Sequence, residues 1–290
     1  VSRPALFVEP CAGLANVSIR LAAGGRARGP VGRPGSKAKY ADAILEVLGL
    51  EPGLGADGYL WAEADPAVRA VLRAYPRREV LSGAVEKIRE WTSTEDPLLL
   101  WERLRTAGPI VETTPAEVAR WVTIFASNTL LNVSWSEAEG RFANTGAGGS
   151  TFGGPEFGQQ IRGARGLERM LDIEWPSVEV RSDARSVLPS GDPDLDSRTV
   201  VFLDPPYLNT SGYGFEFGRR EVVRLALRWA AAGALVAISE AEAIGPLVRL
   251  GWKAVDVTRR ARGARTHFSA QQREVVTLSR RPRPRTGGTR

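Results

Sequence analysis

The chain reads as an α/β protein built on a seven-stranded, mostly parallel sheet with helices on both faces. Three observations predict this. Short apolar runs of strand length alternate with helix-length amphipathic segments, the pattern of repeated β–α–β units. Four of those runs end in a carboxylate that leads into a loop. The last two runs are separated by a basic turn and read as an antiparallel hairpin. Composition agrees: 43% of the 290 residues are apolar and 25% charged. That lies near the globular average and excludes a disordered or fibrous chain.

The first strand is Leu6-Phe7-Val8, an apolar run closed by Glu9-Pro10 and the small-residue turn Ala12-Gly13. Val17 to Ala23 follows as a helix stopped by Gly24-Gly25. After a stretch rich in Gly, Pro and Arg, Ser36 is the expected cap of a helix through Leu48, ended by Gly49. Tyr59–Ala62 is the second strand, with Glu63 and Asp65-Pro66 after it, and Val68 to Ala74 the next helix. Residues 84–131 read as mostly helical. Thr114, Pro115 and Glu117 form a capping-box start within them. Residues 140–166 are so dense in glycine that a loop or an irregular hairpin is expected, with no regular element surviving. Later strands are Val178–Arg181, Val200–Leu203, Leu235–Ser239, Ala254–Val257 and Glu274–Leu278. Helices Glu221–Ala232 and Ala241–Leu250 fit between them.

Several chemistries are excluded or narrowed by composition. A single cysteine, Cys11, forbids an internal disulfide, and with a single histidine, His267, it leaves no Cys/His metal site, so no metal is expected. His267 reads as a turn residue. The longest apolar stretches, such as 230–238, fall short of the roughly 20 residues that span a bilayer. No membrane partner and no export leader are expected, and the default compartment is the reducing cytoplasm.

The net charge is +6, and it is unevenly spread. Residues 10–41 carry Arg20, Arg26, Arg28, Arg33, Lys37 and Lys39 and no acid. Residues 253–265 carry Lys253, Arg259, Arg260, Arg262 and Arg265 against Asp256 alone. The end of the chain holds Arg280, Arg281, Arg283, Arg285 and Arg290 and again no acid. Such asymmetry suits a polyanionic partner on one face.

In an open parallel sheet, ligands bind beyond the carboxyl ends of the strands. The residues there are Glu9-Pro10 with Gly13, then Glu63, Asp183 and Asp204-Pro205-Pro206-Tyr207. The last group is the sharpest feature of the sequence. A buried strand runs into an acid and two prolines, which hold the backbone open because they fix φ and carry no N–H. An acid beside a rigid carbonyl makes a double acceptor suited to an exocyclic amine, and Tyr207 offers a face on which a planar base can stack.

These residues resemble the adenine-specific DNA methyltransferases of bacteria and phages. That family combines an Asp-Pro-Pro-Tyr motif with an earlier Phe-x-Glu-Pro-Phe-x-Gly-x-Gly motif. Here the second reads Phe7-Val8-Glu9-Pro10-Cys11-Ala12-Gly13-Leu14-Ala15, with Cys11 in place of an aromatic and Ala15 in place of the final glycine. The resemblance implies a Rossmann-like, seven-stranded S-adenosylmethionine (SAM)-dependent methyltransferase sheet, with double-stranded DNA as partner and SAM as cofactor. It implies cofactor contacts from Phe7, Glu9, Pro10, Gly13, Ala15, Lys37, Glu63, Asp183 and Asp204. Among these, Glu63 would take the ribose hydroxyls, and Asp183 the adenine. Lys37, in Pro34-Gly35-Ser36-Lys37, is similar to a Gly-Gly-Lys element that precedes the first strand in familiar members and here follows it. Asp204, Pro205, Pro206 and Tyr207 would be catalytic, holding the N6 amine of a flipped-out adenine.

The family places its target-recognition insertion between the acids matched by Glu63 and Asp183. The expected organisation is therefore a catalytic domain of residues 1–66 and 166–279, a mostly helical insertion at 67–165, and a disordered basic tail at 280–290. Nucleic-acid contacts are expected from Arg141, Asn144, Gln159, Arg162, Arg260 and Arg262. Three alternatives stay open: the N4 amine of cytosine as target, RNA as substrate, or a relic that binds DNA without methylating it. The changes at Cys11 and Ala15 motivate the last.

Overall fold

The computed structural model of the chain describes residues 2–25, 27–31, 37–126, 133–144, 157–206, 217–258 and 273–279. Among the described residues seven strands form the main sheet: β1 (Leu6–Glu9), β2 (Tyr59–Ala62), β5 (Val178–Arg181), β6 (Thr199–Leu203), β7 (Leu235–Glu240), β8 (Lys253–Asp256) and β9 (Val275–Leu278). A separate antiparallel pair is made by β3 (Val133–Ser136) and β4 (Arg141–Asn144). The order across the main sheet is β5-β2-β1-β6-β7-β9-β8. All neighbours are parallel except β9, which runs antiparallel to both β7 and β8. The expected hairpin exists, and its second strand is pushed in between β7 and the first.

That order reverses direction at β1. The chain moves outward through β2 and β5, then returns to lay β6 on the other side of β1, in register Phe7 to Val200. A crevice opens at the carboxyl ends of strands where such a reversal occurs. The carboxylates read from the sequence at the ends of β1, β2, β5 and β6 are thereby set along one edge.

Alternation along the strands assigns the two faces. Phe7, Tyr59, Trp61, Val200 and Phe202 enter one apolar cluster, while Val8, Leu60, Val201, Leu203, Val236 and Ile238 enter another. The first is covered by α1 (Asn16–Ala23), α2 (Ala41–Leu48) and α3 (Pro66–Ala74), and it extends into α4 (Arg78–Thr94), α5 (Pro97–Thr106), α6 (Pro115–Ala126) and α7 (Phe157–Leu171). Trp121, Val122, Leu167 and Met170 are part of the same cluster as Phe7. The helices between β2 and β5 thus share one continuous core with the sheet. The second face is covered by α9 (Arg219–Ala231) and α10 (Gly245–Arg249), through Leu225, Trp229 and Leu247. A one-turn helix, α8 (Pro193–Ser197), capped by Asp192, precedes β6.

Local chemistry explains the boundaries. Asp65 accepts from the backbone N–H groups of Ala67 and Val68 and starts α3 with Pro66 in its first turn. Thr114 accepts from Glu117 N at 3.2 Å at the start of α6. Ser36 lies outside the described residues; the segment after it is a single 3₁₀ turn, Lys37–Lys39, before α2 begins at Ala41.

One expectation is overturned. Residues 140–166 contain regular structure: β4 lies there, and α7 runs from Phe157 through the glycine-dense stretch. The glycines of α7 are sites of close approach. A Cβ at Gly163 would come within 2.7 Å of Val122 Cγ1, and one at Gly166 within 2.2 Å of the Pro30 carbonyl oxygen. Lost helix propensity, about 1 kcal/mol per glycine, is offset by packing that no larger residue permits. No helix among the described residues is long and apolar enough to cross a membrane.

Candidate active site

The turn after β1 is held in place by its neighbours. Ala12 N donates to the Ala62 carbonyl at 2.9 Å, tying the turn to the end of β2, and Tyr75 Oη donates to the Leu14 carbonyl at 3.4 Å. Gly13 and Ala15 both take left-handed backbone, with φ of 52° and 50°. Ala15 is the one non-glycine residue among the described residues to do so. It therefore adopts the conformation for which a glycine would be chosen, at roughly 1 kcal/mol of strain. Among the described residues nothing lies within 4 Å of where a Cβ on Gly13 would point, so the turn borders open space there.

Glu9 faces away from that space. Its carboxylate is 2% exposed and accepts from Ser18 N at 2.6 Å and from Ser18 Oγ, which in turn accepts from Trp61 Nε1 at 2.9 Å. Burial pushes its pKa from 4.5 to about 8 against the opposing effect of the Ser18 bonds, with Asp204 adding to the rise. Near neutral pH it is mostly an uncharged pin between β1 and α1. Phe7 is fully buried in the core, and Pro10 is buried at the start of the turn.

At the end of β6, Asp204 meets Lys37 and Glu274. Lys37 Nζ stands 2.9 Å from Asp204 Oδ1 and 3.7 Å from Glu274 Oε2. The lysine side chain is 6% exposed, that of Asp204 20% and that of Glu274 2%. Ser239 Oγ donates to Glu274 Oε1. Burial raises the Asp204 pKa from 3.8 to about 6; Lys37 works against this rise, and Glu274 adds to it. Pro205 is buried and Pro206 half-buried.

Glu274 and Ser239 were missed by sequence reasoning. Each reads locally as part of a strand or its approach, and the only signal was an acid at the mouth of an apolar run, where β9 begins. Glu240, also buried, approaches Arg219 at 4.0 Å on the far side of the same edge.

The remaining acids converge from the other direction. Glu63 accepts from Asp65 N at 2.9 Å. Asp183 caps the turn after β5 through Arg185 N at 2.8 Å and is about half exposed. Cys11 lies among them: burial raises its thiol pKa well above the ordinary value, and the negative fields of Glu63, Asp204 and Asp183 raise it further. An open turn bordered by three carboxylates suits a ligand that carries positive charge and hydroxyl donors.

The basic residues divide. Arg20 is buried and paired with Asp42, and Lys37 is buried beside Asp204, so neither lies on a solvent-facing basic surface. Arg141 sits on β4, paired with Glu139 at 2.6 Å, and Arg162 is exposed on α7. Tyr207, Arg260, Arg262 and the side chains of Asn144 and Gln159 lie outside the described residues. Among the described residues no group of His, Cys, Asp and Glu could hold a metal ion.

No protein-family model matches the chain, and no curated protein matches it. Two solved structures of the rRNA methyltransferase aviRa from Streptomyces viridochromogenes are similar at 15% and 13% identity, with TM-scores of 0.35 and 0.36. Both matches cover 96% of this chain, with 77% and 78% of the respective aviRa chains.

Proposed function

We propose that the protein is a SAM-dependent methyltransferase that modifies the N6 amine of a flipped-out adenine in DNA. The observation that carries this reading is the position of Asp204. It closes β6 in an Asp-Pro-Pro-Tyr sequence, on the edge that also holds the turn after β1, Glu63 and Asp183.

The residues present fit the cofactor. The open space before Gly13 admits a ligand close to the backbone. Glu63 and Asp183 would take hydroxyl and amine donors, and the surrounding negative field favours a sulfonium. That cofactor, when bound, supplies a methyl group already activated by its positive sulfur. The αL conformation of Ala15 supports retention of the cofactor turn despite the altered motif.

The chain's own work is positioning. An aromatic amine is a poor nucleophile because its lone pair is delocalised into the ring. Asp204 and the Pro205 carbonyl are two fixed acceptors for its two N–H bonds, which favours a tetrahedral nitrogen with its lone pair directed at the methyl group. Lys37 holds Asp204 ionised and in place. Tyr207 would stack on the extracted base, whose unstacking costs a few kcal/mol.

The test is transfer of labelled methyl from SAM to unmethylated DNA, followed by digestion and separation of the nucleosides. Label in N6-methyl-2′-deoxyadenosine is the expected result. Label in cytosine would move the target to N4. Label only with an RNA substrate would change the polymer, and no transfer with no SAM binding would overturn the reading.

A further inference from the structure

A cavity of about 360 Å³ lies between α7, the end of α6 and the loop at 28–31. That is within the range, roughly 300–1,000 Å³, of pockets that hold small-molecule-sized groups. Among the described residues its lining includes Arg28, Arg162, Arg165 and Arg169 and no carboxylate. All four arginines are exposed, and the nearest opposing charge to Arg169 is its helix neighbour Glu168. Glu168 also pairs with Arg89. Arg169 has its pKa lowered by burial and then by the charge of Arg28, with Glu168 acting against the fall, so the two guanidiniums repel across the cavity.

The scaffold beneath is rigid. Residues 162, 165 and 169 share one face of α7, because i, i+3 and i+7 fall together on a helix. The intervening Gly163 and Gly166 let that helix rest directly on α6 and on the backbone of Pro30. Gly29 N donates to Asn16 Oδ1 at 2.9 Å, and a Cβ at Gly29 would come within 3.2 Å of Leu14. The loop that presents Arg28 is thus anchored to the turn that follows β1.

We infer that this cavity is a phosphate-gripping subsite for the backbone of a polynucleotide, filled by phosphodiester groups lying between Arg28 and the arginine face of α7. Four cations that face one cavity, with Glu168 shared between Arg89 and Arg169, are stabilised by an anion that brings several charges, and planar guanidiniums bind phosphate oxygens in pairs. The inference rests on the nucleic-acid substrate of the proposed function and names where its backbone sits. The loop that lines the cavity is tied through Gly29 to Leu14 and Asn16, so a strand gripped there would be held by the segment that follows β1. Backbone contacts of this kind set register and carry no base preference.

The experiment is the salt dependence of binding, read by anisotropy of a labelled 20-base-pair duplex and of an RNA hairpin of similar length. The proteins compared are the unaltered chain and its Arg28→Gln, Arg162→Gln, Arg165→Gln and Arg169→Gln variants. Arg103→Gln, on the exposed face of α5, is the control. Each cavity variant should weaken duplex binding about three- to tenfold on any sequence. Each should also reduce the slope of log affinity against log salt by about 0.9 for every phosphate that is no longer neutralised. Unchanged slopes, or an equal change in Arg103→Gln, would overturn the inference, as would tighter binding of dAMP or inorganic phosphate than of either polymer. Label transfer by the wild type is measured in parallel. Transfer with unchanged slopes removes the cavity and leaves the methyltransferase, whereas slopes that fall with neither transfer nor SAM binding keep the cavity and remove the methyltransferase.

Discussion

Lys37 Nζ lies 2.9 Å from Asp204 Oδ1, and both side chains sit where water is scarce. One ammonium serves two carboxylates there, since Glu274 is on its other side at 3.7 Å. The lysine comes from a 3₁₀ turn before α2, the aspartate from the end of β6, and the glutamate from the approach to β9. Their meeting couples the charge state of the proposed catalytic acid to a residue far from the motif in sequence.

Removing that ammonium should move the acid limb of the reaction. With Lys37 in place, Asp204 ionises at about pH 6, so methyl transfer should fall below that pH with a limb centred near 6. Lys37→Met leaves Asp204 with burial and Glu274 alone, both of which raise its pKa. The limb should move upward, and a displacement of about two pH units would lower transfer at pH 7 about tenfold. A pH–rate profile for both proteins checks this. An unmoved limb would separate Asp204 from the observed titration. The same substitution leaves a buried carboxylate unpaired and should destabilise the fold by about 3 kcal/mol, read by urea denaturation.

Asp204→Asn keeps the shape of the side chain and removes its charge. Transfer should fall by roughly 10²–10³, the usual consequence of losing one preorganised electrostatic contact. DNA binding measured by anisotropy should stay within a factor of about three, because phosphate contacts supply most non-specific affinity.

Stability should decline as pH rises from about 4 to 8. Glu9 has its pKa raised from 4.5 to about 8 on folding, and Asp204 from 3.8 to about 6. Below the unfolded values both states carry these protons, and the contribution is fully present. Between the unfolded and folded values the native state holds more protons than the unfolded chain, so stability falls with pH, by at most about 1.4 kcal/mol per pH unit for each group. Glu9→Gln should flatten the upper part of this decline, between pH 6 and 8, by about 2 kcal/mol in total. Denaturant midpoints across that range provide the measurement.

Gly166→Ala should destabilise the protein although it improves helix propensity by about 1 kcal/mol. The added methyl would sit 2.2 Å from the Pro30 carbonyl oxygen, a backbone atom that cannot swing aside. Overpacking of this kind costs about 1–3 kcal/mol beyond the gain. Chemical denaturation should show a lower midpoint, and a raised midpoint would mean that the loop at 28–31 does not rest on α7.

The sequence by itself determined the strands of the main sheet and the acids that end them. Each of these is a local property: a short apolar run closed by a carboxylate at the start of a turn declares itself without any distant contact. Asp204, Glu63 and Asp183 were legible for that reason, as was the turn at Gly13. Glycine density misled over 157–166, because a glycine that breaks an isolated helix is required in one pressed against Pro30 and Val122. Only the tertiary structure decided that β9 lies between β7 and β8, bringing Glu274 to Lys37, and that Glu9 turns inward to Ser18. It alone brought Arg28 to the arginines of α7. Periodicity reports which face of an element is buried, whereas the partner across that face depends on strand order and helix contacts that distant segments settle together.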